Sequence, residues 1–350
     1  LGNGTEKIVA ALVYLMSQQQ WLLFPMFFWV LSNDILDMSQ AKRLIPAIGS
    51  WSFIGKIGGI GLTLLPALLF KFGWVNEEVL TIGQVVRLNI FFYLLAFLLV
   101  NVGFSKIAIR PVAKKEESVQ ETLNEGFGFV REVPSFRLLI FSIIFIGAID
   151  VILEYRFFVV SKGFYSNPVD YKQFYSIYLL AAALLSFSIQ GFVTSRIVQR
   201  FDLKNTFLIQ PFVALSSSIA MILSPELLVT SITSLMLKIG RNTIDESTRK
   251  SFQGFVPEER RGRVALFTDN FAPAIGMLFA SLLTWGIVTL AEKYNVPNFF
   301  YIYLGLAVVA SLISIYLIQR MRANYDNSMF NWRLKRRKRG SSDVLKNLDF

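Results

Sequence analysis

The 350-residue chain is 54% hydrophobic, with 33 Phe and only 17% charged residues, against roughly 25% charge in an ordinary soluble protein; this is a membrane composition. The 35 Lys and Arg exceed the 24 Asp and Glu by a formal +11, an excess that fits nucleic acid, an anionic membrane surface or cytoplasmic loops until the charges are placed. No His or Cys occurs, which removes disulfides, thiolate or imidazole metal sites, and every Ser-His or Cys-His nucleophile pair.

A bilayer core of about 30 Å takes about 20 apolar residues in a helix, because only a helix satisfies its own backbone hydrogen bonds in lipid. Runs of this kind cover residues 8–32, 44–70, 86–104, 138–160, 174–193, 206–223, 227–252, 265–290 and 299–318, about nine spans. The fold class expected is an all-α polytopic membrane bundle. The chain starts at Leu1, with no basic segment before a cleavable apolar stretch, so it reads as a fragment with something N-terminal missing.

The loop charges check these spans. One side holds Lys42 and Arg43, then Lys106, Arg110, Lys114, Lys115, Arg131 and Arg137, then Arg196, Arg200 and Lys204, then Arg249, Lys250, Arg260, Arg261 and Arg263. The other holds only Lys7, Lys71, Arg87, Lys162, Lys172 and Lys293. The richer side is expected to be cytoplasmic, which puts Leu1 outside the cell (inner) membrane and Phe350 inside. The run from Arg333 to Arg339 then reads as an anchor for lipid headgroups, not a nucleic-acid site.

The pattern breaks once, over residues 105–136, a polar stretch much longer than its neighbours. Ser118 and Glu121 have the spacing of a capping box, and Val119, Leu123, Phe127 and Val130 recur at helical intervals. A short surface helix ending at Pro134 is expected. The organisation expected is therefore 1–104 as the last three helices of a first six-helix half, 105–136 as a central cytoplasmic loop, 137–318 as a second six-helix half and 319–350 as a basic tail. Three spans, a loop and six spans have the shape of a six-plus-six carrier without its first three helices.

Charges inside spans mark interiors, because a lipid-facing charge costs at least a few kcal/mol. Lys56 lies in a glycine-rich second span with Gly55, Gly58, Gly59 and Gly61. Asp150 and Glu154, four apart, share a helix face in the fourth span, with Arg156 beside them. In the seventh span Lys238, Arg241, Asp245 and Arg249 form one stripe. Lys56, Glu154, Arg156, Lys238 and Arg241 are the candidate substrate ligands, and the four cations Lys56, Arg156, Lys238 and Arg241 suggest a polyanionic cargo. Asp150, Asp245 and Asp269 are candidates for gating or ion pairing, with Asp245 as the expected partner of Arg241. No metal ligands and no cofactor are expected.

Gly191-Phe-Val-Thr-Ser-Arg196-Ile-Val-Gln-Arg200-Phe-Asp-Leu-Lys204 resembles the second-half cytoplasmic loop motif of the major facilitator superfamily, with Asp202 in place of a late glycine. Gly55-Lys-Ile-Gly-Gly59 is similar to the glycine-rich fifth helix of that superfamily. The segment from Phe28-Trp29 through Asn33, Asp37, Gln40, Lys42 and Arg43 to Pro46 resembles the fourth helix and following loop of the ATP/ADP translocase family of nucleotide transporters, where Gln40 stands in place of a Glu. Leu153-Glu154-Tyr-Arg156-Phe157 is similar to that family's seventh helix, and Arg241 to Arg263 to the tenth helix and loop of such carriers. The resemblance implies a major facilitator fold, alternating access and nucleotide exchange, with Glu154 and Arg156 as a switching pair and Asn33, Asp37, Lys42, Arg43, Gly191, Arg196 and Arg200 as loop-motif positions. The partners expected are an anionic small molecule and the bilayer, with no nucleic acid and a monomeric chain. A proton-coupled exporter of drug-like or lipid cargo, with Asp150 and Glu154 as proton carriers, is the alternative on the same fold. A non-transporting sensor or anchor module is the alternative of another class. A membrane enzyme is disfavoured, since without His and Cys only carboxylate or Ser-Lys chemistry remains.

Overall fold

The computed structural model describes residues 55–62, 69, 72–74, 82–104, 133–201, 203–253 and 264–346, with residues 12 and 128. The positions Asn33, Asp37, Lys42 and Arg43 and most of the 105–136 segment lie outside the described residues. The chain divides into two compact units, Leu1–Gly58 with Leu69–Lys115, and Gly59–Leu68 with Glu116–Phe350. All described secondary structure is helical.

In the first unit, α1 spans Ile82–Phe104. Leu94, Phe97, Leu98, Leu99 and Val102 are all exposed, as expected of a helix that is apolar all round and meets lipid. Before it, the Trp74 N–H donates to the Leu69 carbonyl at 2.9 Å, a bond that closes a helix end around Gly73. Gly73 has φ +71, a left-handed conformation that glycine adopts without a Cβ penalty.

The second unit is built from α2 (Pro134–Phe164), α3 (Pro168–Ile189), α4 (Ser195–Phe201), α5 (Leu203–Thr206), α6 (Ile209–Leu223), α7 (Leu227–Gly240), α8 (Glu246–Gln253), α9 (Ala272–Lys293) and α10 (Phe300–Lys346). π-helical turns cover Gln190–Thr194, Arg241–Asp245 and Phe267–Phe271. Pro134 and Pro168 occupy first-turn positions, where the missing N–H would be unpaired anyway. The Asn167 side chain caps α3 by accepting from the Val169 N–H at 3.0 Å. Asn295 and Asn298, at φ 50 and 54, turn the chain from α9 into α10, a left-handed region that Asn tolerates.

Among the described residues, five helices are long and apolar enough to cross a membrane: Pro134–Phe164, Pro168–Thr194, Lys204–Leu223, Val264–Lys293 and Phe300–Tyr325. The chain is a multi-pass membrane helix bundle. The expected seventh span is helical from Leu227 to Gln253 apart from its π turn, and its charges explain why its apolarity falls short. One expectation needs revising. The segment from Gly191 to Lys204, read as a loop, is a π turn followed by α4 and α5, so the helix persists beyond the span. The tail from residue 319 continues α10 without a break to Lys346, since no proline interrupts it and Arg, Lys, Met and Leu favour helix.

Helix α2 is the hub, packing against α6, α7, α9 and α10. Two apolar clusters stack along it. One joins Phe136, Ile140 and Ile143 to Phe207, Phe252, Val264 and Ile318; the other joins Ile149 and Leu153 to Ala214, Met221, Leu237 and Tyr303. Phe141, Phe212, Leu278, Phe279, Leu312 and Tyr316 point outward, as a lipid-facing surface requires.

The tightest crossing is between α2 and α9. A Cβ on Gly276 would run into the Ile144 carbonyl, and one on Gly147 would lie 2.6 Å from the Pro273 carbonyl oxygen, so only glycine allows this approach. Buried polar pairs join other helices: Ser142 to Ser314 at 2.6 Å, Tyr178 to Ser234 at 2.9 Å, and the Gln210 side-chain amide donating to the Leu237 carbonyl at 3.2 Å.

Candidate functional site

Between the two apolar clusters the bundle turns ionic. Asp150 on α2 sits opposite Arg241 in the π turn after α7, with Arg241 Nη1 donating to Asp150 Oδ2 at 2.7 Å. One turn along, Glu154 meets Lys238 at 3.8 Å. As the number rises on α7 it falls on α2, so the pairs are two rungs between antiparallel helices. The four-residue interval on α2 and the three-residue interval on α7 each span about one turn.

A third group completes the layer. Arg249 Nε lies 3.0 Å from Asp245 Oδ2, and Arg249 Nη1 lies 3.4 Å from Asp269 Oδ1. One guanidinium thus holds two carboxylates, one on its own helical rod and one in the π turn before α9. Arg241, Asp245 and Asp269 all lie within π turns, where the extra residue re-aims a side chain and often marks a functional position. Asp150, Arg241, Asp245, Arg249 and Asp269 line a cavity of about 30 Å³ with Ile143, Ile146, Gly147 and Pro273. That is room for about one water, far below the roughly 300–1,000 Å³ of a small-molecule site. The pairs are closed on each other.

Several sequence expectations change here. Arg241 takes Asp150, and Asp245 takes Arg249, because the π turn carries Arg241 toward α2 while Asp245 and Arg249 stay four apart on one face. Glu154 and Arg156 do not pair. Two residues turn a helix by about 200°, so Glu154 faces α7 while Arg156 is buried on the side of α10. There its guanidinium stands 3.9 Å from the Phe300 ring centre. Lys56 is half-buried in helical residues 55–62 of the first stretch. Gly191, Arg196 and Arg200 are exposed, the glycine in the first π turn and the arginines on α4.

Other residues were missed in sequence. Arg249 was placed on the charged stripe but not among the candidates, although it holds the two aspartates together. Gly147 and Gly276 were passed over in favour of Gly55, Gly58, Gly59 and Gly61, none of which shows a close approach among the described residues. A signal existed: Ala272, Gly276, Ala280 and Thr284 place a small or short side chain every fourth residue, and all four are buried. The Tyr178 to Ser234 contact had no sequence signal.

The TLC ATP/ADP transporter family matches residues 6–239 of the chain. The chain belongs to this family. Membership in the TLC ATP/ADP transporter family makes it a transporter and not an enzyme. The matched segment contains Asp150, Glu154, Arg156 and Lys238 and stops just before Arg241. Both acidic rung residues and one basic one thus belong to the part matched by the TLC family, and the arginine rung follows it directly. Among curated proteins, none matches the chain.

Proposed function

We propose that the protein carries nucleotides or a related phosphorylated anion across the cell membrane by alternating access, and that the two rungs between α2 and α7 are its switch. The single observation behind this is the Asp150 to Arg241 pair, lining a cavity too small for cargo. A phosphate is a bidentate acceptor that competes with a carboxylate for a guanidinium. Cargo reaching this layer trades Asp150 for phosphate on Arg241, with Lys238 as the second cation. Freeing α2 from α7 lets the helices move apart, since a ligand shifts a conformational balance only by binding one state better. Lys56 is proposed as a further phosphate contact.

On this reading residues 137–318 form one six-helix half of a major facilitator fold, residues 1–104 belong to the other, and 105–136 joins them. The excess of Lys and Arg at the α2 start, along α4 and in the 253–264 connection supports placing that end in the cytoplasm. The apolar cluster around Phe136, Phe252 and Val264 would then close the cytoplasmic side.

The test is uptake of radiolabelled ATP, ADP and orthophosphate into cells expressing the protein, with and without nucleotide preloaded. Uptake that preloading stimulates is expected, and it should fall at least about tenfold in Arg241→Lys, which keeps the charge but loses the fork. No uptake of any of the three by the unsubstituted protein would defeat the proposal.

One observation favours a second reading, proton coupling on the same scaffold. Three carboxylates, Asp150, Asp245 and Asp269, share the cavity with two guanidiniums, Arg241 and Arg249, and an uncompensated charge beside the buried Asp150 and Asp245 is costly. A proton on one carboxylate balances the layer. Uptake that stays constant between pH 5.5 and 8 would argue against it.

A further inference from the structure

A second feature leads away from the charged layer. Tyr171, Tyr175 and Tyr178 recur at intervals of four and three along α3, so they share one face. Their rings lie nearly parallel: Tyr171 and Tyr175 have centres 6.1 Å apart and planes 5° apart, and Tyr175 and Tyr178 have centres 6.1 Å apart and planes 18° apart. Phe157 of α2 stacks on Tyr178 at 4.6 Å and touches Tyr175 at 6.5 Å. At the inner end the Lys238 ammonium stands 5.8 Å from the Tyr178 ring centre and 3.8 Å from Glu154.

An interfacial belt of tyrosines facing headgroups is the plain alternative, and two observations oppose it. Tyr178 is only 7% exposed and is hydrogen-bonded to Ser234 of α7, inside the bundle. Next to it, the Glu154 side chain is 50% exposed at membrane depth. A half-exposed carboxylate there cannot face hydrocarbon, so that face opens on water or on the transport path. The ring series runs from the capped start of α3 to that face.

We propose that Tyr171 and Tyr175 form a stacking track for the nucleobase of the cargo, with the buried Tyr178 continuing the series behind them to Lys238, which meets the phosphates. This rests on the nucleotide reading above and names the part of the cargo that this face recognises. Aromatic faces bind every base with little sequence preference and serve as platforms in proteins that pass nucleic acid strands along. A base on Tyr175 directs its phosphates toward Lys238, because the next ring, Tyr178, already lies against that ammonium. The track selects for nucleotides over orthophosphate, which has no ring to stack.

The test compares Tyr175→Leu and Tyr175→Phe in the whole protein expressed in cells, with surface amounts measured alongside. The readouts are KM and kcat for ATP uptake, and inhibition of that uptake by tripolyphosphate, an anion with phosphates and no base. Tyr175→Leu is expected to raise the KM for ATP at least about fivefold, with kcat within twofold and tripolyphosphate inhibition unchanged. Tyr175→Phe, which keeps the ring, should match the unsubstituted protein. The track is refuted if Tyr175→Leu leaves KM unchanged, if tripolyphosphate inhibition weakens by the same factor, or if Tyr175→Phe loses as much as Tyr175→Leu. If Tyr175→Leu does not reach the membrane, Tyr171→Leu is read by the same criteria. Absence of ATP uptake by the unsubstituted protein overturns the carrier reading itself and the track with it, whereas normal uptake in both leucine variants overturns the track alone.

Discussion

The two rungs between α2 and α7 are chemically alike and physically unlike. Asp150 and Arg241 meet at 2.7 Å with the Asp150 side chain 8% exposed, while Glu154 and Lys238 meet at 3.8 Å with the carboxylate half exposed. The first is short, with Asp150 buried and Arg241 partly exposed; the second is looser, with Glu154 half exposed and Lys238 about as exposed as Arg241. A pair taken out of water cannot lose one member cheaply, whereas an exposed pair contributes little to stability and keeps its charges available to a ligand. The difference separates a lock from a landing point on the same two helices.

Asp150→Ala should have the largest effect, because it removes the carboxylate that Arg241 meets at 2.7 Å. A loss of about 2 kcal/mol is expected, below the cost for a fully buried pair because the Arg241 side chain is 38% exposed, seen as a fall in melting temperature of the detergent-solubilised protein together with loss of uptake. The neutral double variant Asp150→Asn with Arg241→Gln should recover much of that stability and none of the uptake. If the double variant is no more stable than Asp150→Ala, the pair is not the lock.

Gly276→Ala tests the wall of the tight rung. Its new Cβ meets the Ile144 carbonyl, so α9 must move off α2, at about 1–3 kcal/mol. The melting temperature should drop. A melting temperature equal to the unsubstituted protein's would mean that the crossing is not held as described.

Ser142→Ala removes a neutral contact to Ser314 and is expected to cost about 1 kcal/mol by the same melting measurement. A cost equal to that of Asp150→Ala would show that charge is not what sets the tight rung apart.

The open rung should be the least sensitive in stability. Lys238→Gln is expected to change it by less than about 1 kcal/mol, while raising the KM for nucleotide uptake about tenfold. A large melting shift with unchanged KM would reverse the roles assigned to the two rungs.

Much of the fold was legible in sequence. Apolar runs broken by Lys and Arg place α2 within four residues of its observed ends and α3 and α9 within seven, since lipid leaves a chain no other way to satisfy its backbone. Departures arose where helix continued past the apolar stretch, as in α4 and the end of α10, because hydropathy reports the membrane and not the helix. The site was legible by type. Asp150, Glu154, Lys238 and Arg241 stand out as charges in apolar runs, but their partners do not.

The sequence alone determined that this is a multi-pass helical membrane protein with a charged interior, and residues 6–239 carry the family to which it belongs. The tertiary structure decided which charge meets which. Pairing depends on helix rotation and crossing distance: a π turn that aims Arg241 at α2, a 200° turn that sends Arg156 to Phe300, and two glycines that bring α9 close enough to wall the cavity.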